Sequence, residues 1–182
     1  GSAFKPFVYA TAFNKGYTPD TVVFDLPTEF QTTCTPYGKA LPGYNQDDCY
    51  MPENYDGKYR GPISLKNALA QSVNIPAVKM IYLAGVADSI KTARGMGIST
   101  LEDPARYGLT LVLGGGEVSL IDMVSAYGVF SAGGDRHPYQ RILRVENANG
   151  KILEEYRGSS QSVLPKNTAL MISNILSDNE AK

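Results

Sequence analysis

The sequence lacks tryptophan, has a single histidine (His137) and contains only two cysteines. Zinc sites draw several ligands from histidine and cysteine, commonly as C-x-x-C pairs, and no such pair occurs, so we expect no metal site and no cofactor. No run of ~18 apolar residues is present, so no membrane-spanning segment is predicted. No secretory signal is visible either. The sequence therefore shows none of the usual features of a zinc protein or of a membrane-spanning chain.

Charge of either sign is also scarce. The chain carries 17 basic and 18 acidic residues, a net charge of −1, with no basic run or arginine stripe, which argues against a nucleic-acid partner. The apolar fraction of 43% is sufficient for a packed core, and 182 residues suit one domain or most of one. No repeat, low-complexity tract or interdomain linker is present.

The two cysteines, Cys34 and Cys49, lie 15 positions apart in a segment rich in turn residues. In an oxidising compartment they could close a disulfide, which would stabilise this loop by about 3 kcal/mol on the chain-entropy model. The alternative is two unpaired thiols.

Apolar periodicity and turn residues predict a helix-rich α+β chain. Short strands are expected at 21–24, 139–146 and 151–156, the last two joined by an Asn-Gly turn into a hairpin. The loop 33–51 is expected to be irregular. Helices are predicted over 2–14, from Ser64 to Gln71, from Pro76 to Gly85, over 88–94, from Ser119 (with Asp122 as a capping-box partner) to Gly133, and from Pro165 to Leu176.

Ser2 and Lys5 stand three residues apart at the start of the first predicted helix, so their Cβ atoms lie ~5–6 Å apart on one face. A lysine whose pKa is lowered can take the proton of a serine hydroxyl and make it a nucleophile. Pro6 fits only the first turn, which places Ser2 at the helix N-terminus, where free N–H groups favour an oxyanion. The alternative is an exposed helix start with a solvated lysine, because S-x-x-K occurs by chance in many proteins.

A second motif, Ser72-Val73-Asn74, lies between two predicted helices. Ser and Asn are favoured helix caps, so one interpretation is that Ser72 and Asn74 only cap the helix that Pro76 begins. The other is catalytic, because S-x-x-K followed by a Ser-x-Asn triplet is part of the signature of serine β-lactamases and penicillin-binding proteins.

The residues around both motifs resemble the transpeptidase domain of class A (bifunctional) penicillin-binding proteins. Gly1-Ser2 is also a common cloning remnant, but the match through Phe7 favours a native Ser2. The resemblance keeps its order from Gly1 to about Ser177, and its most specific segments are Gly1–Phe7, Asn54–Gly57, Ala68–Val78 and Leu113–Ser119.

The resemblance implies a role for each motif residue. Ser2 would attack the penultimate D-alanine carbonyl of a peptidoglycan stem peptide, with Lys5 as its base. Ser72 would relay a proton between lysine and the leaving amine. Asn74 would bind the substrate's peptide backbone and help to position Lys5.

One family motif is missing, because no Lys-Thr-Gly or Lys-Ser-Gly occurs and Lys91-Thr92 is followed by Ala93. In the family this triplet lies on a strand of the central sheet and binds the substrate carboxylate. We therefore expect residues 1–182 to be an internal part of a β-lactamase/transpeptidase-like fold: the helical lobe and a small hairpin, without most of the central sheet. Such a part would expose apolar surface for the missing strands or for self-association.

Three functions follow from these motifs. The first is a peptidoglycan D,D-transpeptidase that binds β-lactams, here weakly active or inactive because the lysine triplet is missing. The second is a non-enzymatic β-lactam sensor or scaffold. A serine β-lactamase is disfavoured, because no acidic residue matches a deacylating base and Val73 replaces the aspartate of S-D-N. The resemblance also implies a location outside the bacterial cytoplasmic membrane, with the anchor elsewhere in the full-length protein.

Overall fold

The computed structural model describes residues 1–182 as a helix-rich α+β chain. The helices are α1 (Lys5–Asn14), α2 (Leu65–Ala70), α3 (Asn74–Ala84), α4 (Val86–Gly95), α5 (Leu120–Ser131) and α6 (Lys166–Ser177). The strands are β1 (Val22–Asp25), β2 (Gly61–Ser64), β3 (Asp135–Arg136), β4 (Arg144–Glu146), β5 (Ile152–Glu155) and β6 (Gln161–Ser162). Short 3₁₀ helices span Ser2–Phe4, Gln46–Asp48, Pro104–Arg106 and Leu109–Leu113.

Helix α1 lies at the centre of the core. Every residue from Lys5 to Phe13 is buried, and α1 packs against α3, α4 and α6. The predicted helix over 2–14 is confirmed, with residues 2–4 as a 3₁₀ turn. Pro6 lies in the first turn of α1, where its missing N–H costs no hydrogen bond. Because α1 is buried on all sides, a lysine near its first turn is buried as well.

The strands form three separate two-stranded antiparallel sheets, β1–β2, β3–β6 and β4–β5. The strand predicted at 21–24 is confirmed as β1, which pairs with β2 from Val22 opposite Ser64 to Asp25 opposite Gly61. The Asn-Gly hairpin is also confirmed as β4–β5, with strands shorter than predicted, and its pairing is irregular between Val145 and Glu146. Strands β3 and β6 were not predicted, since two residues are too few to show a period.

Side-chain caps begin two of the helices as predicted. Ser64 accepts a hydrogen bond from the N–H of Asn67 (3.3 Å), and Ser119 accepts one from the N–H of Asp122 (3.2 Å). The predicted capping-box role of Asp122 is wrong. Its carboxylate accepts from the N–H (3.0 Å) and the hydroxyl (2.6 Å) of Ser99, which tertiary packing brings next to it.

Two predicted helix starts shift by two residues. Gly85, at φ +87°, ends α3, and α4 begins directly after it at Val86 rather than at Asp88. Helix α3 begins at Asn74, so Pro76 is its third residue and not its first. Proline is tolerated there because the N–H groups of the first turn have no intrahelical partner.

A core of 28 buried apolar residues joins α1, α3, α4, α5 and α6. One face of α5 remains outside it, with Leu120 80%, Ile121 47% and Val124 63% exposed. Side chains of this size in one exposed patch are typical of a surface that another polypeptide covers. No helix combines the length and the hydropathy that a membrane span requires.

Candidate active site

Lys5 is the centre of the candidate site. Its side chain is only 1% exposed, and Nζ donates to the backbone oxygen of Ser72 (2.6 Å), Ser72 Oγ (3.1 Å) and Asn74 Oδ1 (2.8 Å). The three hydrogens of the Lys5 ammonium group match these three acceptors, so the hydrogen bonds hold the group in one place. None of the acceptors is charged, which leaves the lysine without a bound carboxylate.

Burial lowers the pKa of Lys5 from 10.5 to about 8. Removing an ammonium group from water disfavours its charged form, and no carboxylate offsets this cost. With a pKa of about 8, roughly one molecule in ten carries the neutral amine at pH 7. The neutral amine has a lone pair, so Lys5 can accept a proton near neutral pH.

Ser72 lies in the turn between α2 and α3 in a left-handed conformation. Its φ of +55° is the only positive φ among the non-glycine residues. Serine reaches this region at a cost of ~1–3 kcal/mol, and such conformations are concentrated at functional sites. In this turn both Ser72 oxygens lie within hydrogen-bonding distance of Lys5 Nζ. When Lys5 is neutral, the hydroxyl can reverse its bond and donate to the amine, as a proton relay requires.

The interpretation of Ser72 and Asn74 as side-chain caps of α3 is wrong. The residue that precedes the helix is Val73, and no side chain of this turn caps it. Instead Asn54 Oδ1, from a distant loop, accepts from the N–H groups of Asn74 (3.0 Å) and Ile75 (3.2 Å). The side chain of Asn74 is thereby free to contact Lys5.

Ser2 lies one turn before Lys5, in the 3₁₀ helix that leads into α1. Ser2 is exposed, and its hydroxyl makes no hydrogen bond with Lys5, Ser72 or Asn74. Lys5, Ser72 and Asn74 therefore meet at one point. Ser2 lies on the same helical segment as Lys5 and presents a hydroxyl that has no hydrogen bond to them. This arrangement combines an accessible hydroxyl with a buried amine of lowered pKa.

Two contacts that the sequence did not predict hold the turn that carries Ser2. Tyr127 of α5 donates its hydroxyl hydrogen to the backbone oxygen of Ala3 (2.8 Å). Gly114, at φ +98°, packs directly on Gly1, and a Cβ at this position would overlap the backbone nitrogen and Cα of Gly1. Its place in a triple glycine was the only available signal of this close approach.

Comparison with known proteins identifies the family. The penicillin binding protein transpeptidase domain matches residues 1–182, the whole chain. The chain belongs to this family.

The relatives of this chain include penicillin-binding proteins of two distant bacteria. It is 32% identical over 178 residues to penicillin-binding protein 1A of Neisseria meningitidis serogroup A, covering 94% of this chain and 21% of the relative. It is 33% identical over 176 residues to penicillin-binding protein 2D of Bacillus subtilis, covering 96% of this chain and 23% of the relative. The chain therefore spans less than a quarter of the length of these curated relatives.

A solved structure shows the same fold. Penicillin-binding protein 1A from Haemophilus influenzae superposes with a TM-score of 0.81 at 25% identity, covering 97% of this chain and 29% of the other. The predicted resemblance and the predicted helix-rich fold class are both confirmed. Residues 1–182 are helix-rich with three small sheets, as this fold class predicts.

Two acidic residues near the motifs lie in segments that hydrogen bonds hold in place. Asp56 accepts from the N–H of Lys58 (3.1 Å) and from the guanidinium of Arg60 (3.0 Å), which braces the turn after Asn54. The backbone oxygen of Glu117 accepts from the hydroxyl of Thr100 (2.6 Å), in the loop that leads to α5. Neither carboxylate is a partner of Lys5.

Cys34 and Cys49 are joined by a disulfide in the loop between β1 and β2, with Cα atoms 5.8 Å apart. The carboxylate of Glu29 lies within 4.8 Å of both sulfurs. Metals bind the thiolate form of cysteine, so a disulfide offers them no such ligand. Glu29 instead accepts from the N–H groups of Gln31 (2.9 Å) and Tyr50 (2.7 Å) and braces the same loop.

Proposed function

We propose that residues 1–182 carry the nucleophile and base of a serine-type peptidoglycan D,D-transpeptidase. The observation that carries this proposal is the Lys5 amine, which is buried among Ser72 and Asn74 one turn after the exposed Ser2. Family membership supplies the reaction class, since the matching domain is a penicillin-binding transpeptidase. The substrates are peptidoglycan stem peptides that end in D-Ala-D-Ala.

In the proposed acylation, neutral Lys5 takes the proton of Ser2 as Oγ attacks the carbonyl carbon of the penultimate D-alanine. The peptide bond to the last D-alanine then breaks. Ser72 passes the proton from Lys5 to the leaving amine, and the terminal D-alanine departs. The product is an ester between Ser2 and the shortened stem peptide.

In the proposed second half, the amine of a neighbouring stem peptide attacks this ester. Its proton passes through Ser72 and Lys5 to Ser2 Oγ, which leaves as the free hydroxyl. A new peptide bond then cross-links the two stems. A β-lactam would acylate Ser2 by the same first step and remain as a slowly resolved ester.

The absence of Lys-Thr-Gly bears on the activity of residues 1–182 by themselves. We propose that they form a partial domain and that a strand outside them supplies the carboxylate-binding triplet. The exposed face of α5, Leu120, Ile121 and Val124, supports this proposal, because an apolar surface of this kind favours burial. The enzyme would act at the extracytoplasmic face of the bacterial membrane, where peptidoglycan is assembled.

Labelling with a fluorescent penicillin tests the assignment. It should compare residues 1–182 with an extended form, defined as the protein carrying these residues and their flanking segments, including a Lys-Thr-Gly strand. We expect stable labelling of the extended form that survives denaturing electrophoresis and is lost in Ser2→Ala. Weak or no labelling is expected for residues 1–182 alone.

The control is Ser159→Ala, which removes a hydroxyl from an exposed loop beside Tyr156. An extended form that stays unlabelled, or that labels equally after Ser2→Ala, would remove the basis of the proposal. A non-enzymatic sensor is the second candidate, favoured by the missing triplet. It would label through Ser2 but form no cross-linked product from stem peptides.

A further inference from the structure

Asp25 and Asn54 lie beneath the site without touching Ser2 or Lys5. Asp25, the last residue of β1, is 0% exposed, and Asn54, from the loop before β2, is 6% exposed. Buried polar side chains of this kind need a complete set of partners. Their hydrogen bonds form a continuous path to Asn74.

Asp25 determines which way the Asn54 amide faces. Asn54 Nδ2 donates to both carboxylate oxygens of Asp25 (2.8 and 3.0 Å) and to the backbone oxygen of Lys58 (2.7 Å). These partners are all acceptors, so only the NH₂ group of the amide can face them. Asp25 is held in turn by the N–H of Arg60 (2.9 Å), and the cations that face its carboxylate are the Arg60 guanidinium (3.8 Å) and Lys79.

Once the amide is oriented, Asn54 Oδ1 must face the start of α3. There it accepts from the N–H groups of Asn74 (3.0 Å) and Ile75 (3.2 Å), two of the donors that a helix start leaves without partners. A flipped amide would place its NH₂ group against these N–H groups. The Asp25 carboxylate therefore excludes the flip.

Glu53, the residue before Asn54, holds the side chain of Asn74. The backbone oxygen of Glu53 accepts from Asn74 Nδ2 (2.9 Å), which leaves Asn74 Oδ1 facing Lys5 Nζ (2.8 Å). Glu53 and Asn54 thus fix both the backbone and the amide of Asn74. Any displacement of this loop would move an acceptor of Lys5.

We propose that Asp25 and Asn54 are positioning residues that set the protonation of Lys5 through Asn74. This inference rests on the proposed function, in which Lys5 is the base for Ser2. Asn74 Oδ1 accepts from the ammonium form of Lys5 and stabilises it. When the brace is lost, the ammonium form loses a fixed acceptor and the neutral form becomes relatively more favourable.

The test measures the second-order rate of penicillin acylation against pH in the extended form. Asn54→Ala is expected to lower the plateau rate by about 10- to 100-fold, because the base is displaced. It is also expected to move the midpoint of the pH profile below that of the unsubstituted protein. Asp25→Asn keeps the side-chain volume. It should lower the plateau rate and the midpoint as well, but by smaller amounts than Asn54→Ala.

The matched control is Ser64→Ala, which removes the cap of α2 and has no contact with Asn74. It should lower the melting temperature but leave the midpoint unchanged, because a purely structural loss does not alter the titration of Lys5. The Asp25→Asn/Asn54→Ala double variant should resemble Asn54→Ala alone, since the two residues act along one path.

The results separate this inference from the proposed function. If Asn54→Ala and Asp25→Asn keep the midpoint of the unsubstituted protein, as the Ser64→Ala control does, the positioning role is wrong although Ser2 still labels. If Asn54→Ala does not fold, Asp25→Asn decides by the same criterion. Labelling that does not depend on Ser2 would instead overturn the proposed function.

Discussion

Replacing Asn74 with aspartate would place a carboxylate where an amide oxygen now lies 2.8 Å from Lys5 Nζ. The substitution changes almost no volume, but it gives the buried ammonium group the opposite charge that it lacks. Two unit charges 4 Å apart attract by about 4 kcal/mol at an effective dielectric constant of 20. Opposite charges at such distances shift pKa values by about 1–3.

We expect Asn74→Asp to raise the pKa of Lys5, now about 8, by about 2. At pH 7 the neutral fraction of the amine would fall from roughly one in ten to roughly one in a thousand. Acylation of Ser2 at pH 7 should therefore slow by about 100-fold, and the midpoint of the pH profile should move upward by about 2 pH units.

The assay is the initial rate of fluorescent-penicillin labelling of the extended form between about pH 6 and pH 10. A lost substrate contact lowers the plateau of the profile, whereas a changed lysine pKa moves its midpoint. Asn149→Asp is the matched control, because it adds the same charge at an exposed position in the turn between β4 and β5. The reasoning is refuted if the Asn74→Asp midpoint stays at that of the control while only the plateau falls.

Three further predictions concern the turn, the disulfide and the lysine. The Cβ added by Gly114→Ala would overlap Gly1, so this variant should label with penicillin at least ~10-fold more slowly. The control is Gly128→Ala, because a Cβ at that position meets no other atom. Equal labelling rates in the two variants would contradict the prediction. A thiol count under denaturing, non-reducing conditions should find no free thiol from Cys34 or Cys49, and two thiols would refute the bridge. Because the folded pKa of Lys5 (about 8) lies below the ordinary lysine pKa of 10.5, the unfolded chain binds more protons between these two pH values. Denaturant titrations should therefore show the free energy of unfolding rising from pH 8 to 10 relative to Lys5→Met, and parallel curves would contradict the lowered pKa.

Local signals in the sequence were sufficient for much of the fold. Periodicity identified the course of α1, and Pro165 identified the start of α6. Ser64 and Ser119 identified the starts of α2 and α5, because a cap and the helix it begins are adjacent in the chain. The Asn-Gly turn located the β4–β5 hairpin for the same reason. The S-x-x-K and Ser-x-Asn motifs and their flanks also pointed to the family that the comparisons confirm.

Long-range contacts decided the rest. The cap of α3 comes from Asn54, 20 residues away from Asn74, and the carboxylate that orients it comes from Asp25, 29 residues away from Asn54. The left-handed conformation of Ser72 carries no local mark, because serine seldom adopts it. Such features depend on which donors and acceptors packing brings together.

Neighbouring residues are enough to place a serine and a lysine on one helical segment and a Ser-x-Asn turn far along the chain. The packed fold was needed to show that this turn meets Lys5, that the amine is buried without a carboxylate, and that its pKa is lowered. How deeply the amine is buried, and whether a carboxylate lies near it, depend on the whole packed structure. The reason is that an ammonium group leaves water only where the surrounding elements enclose it.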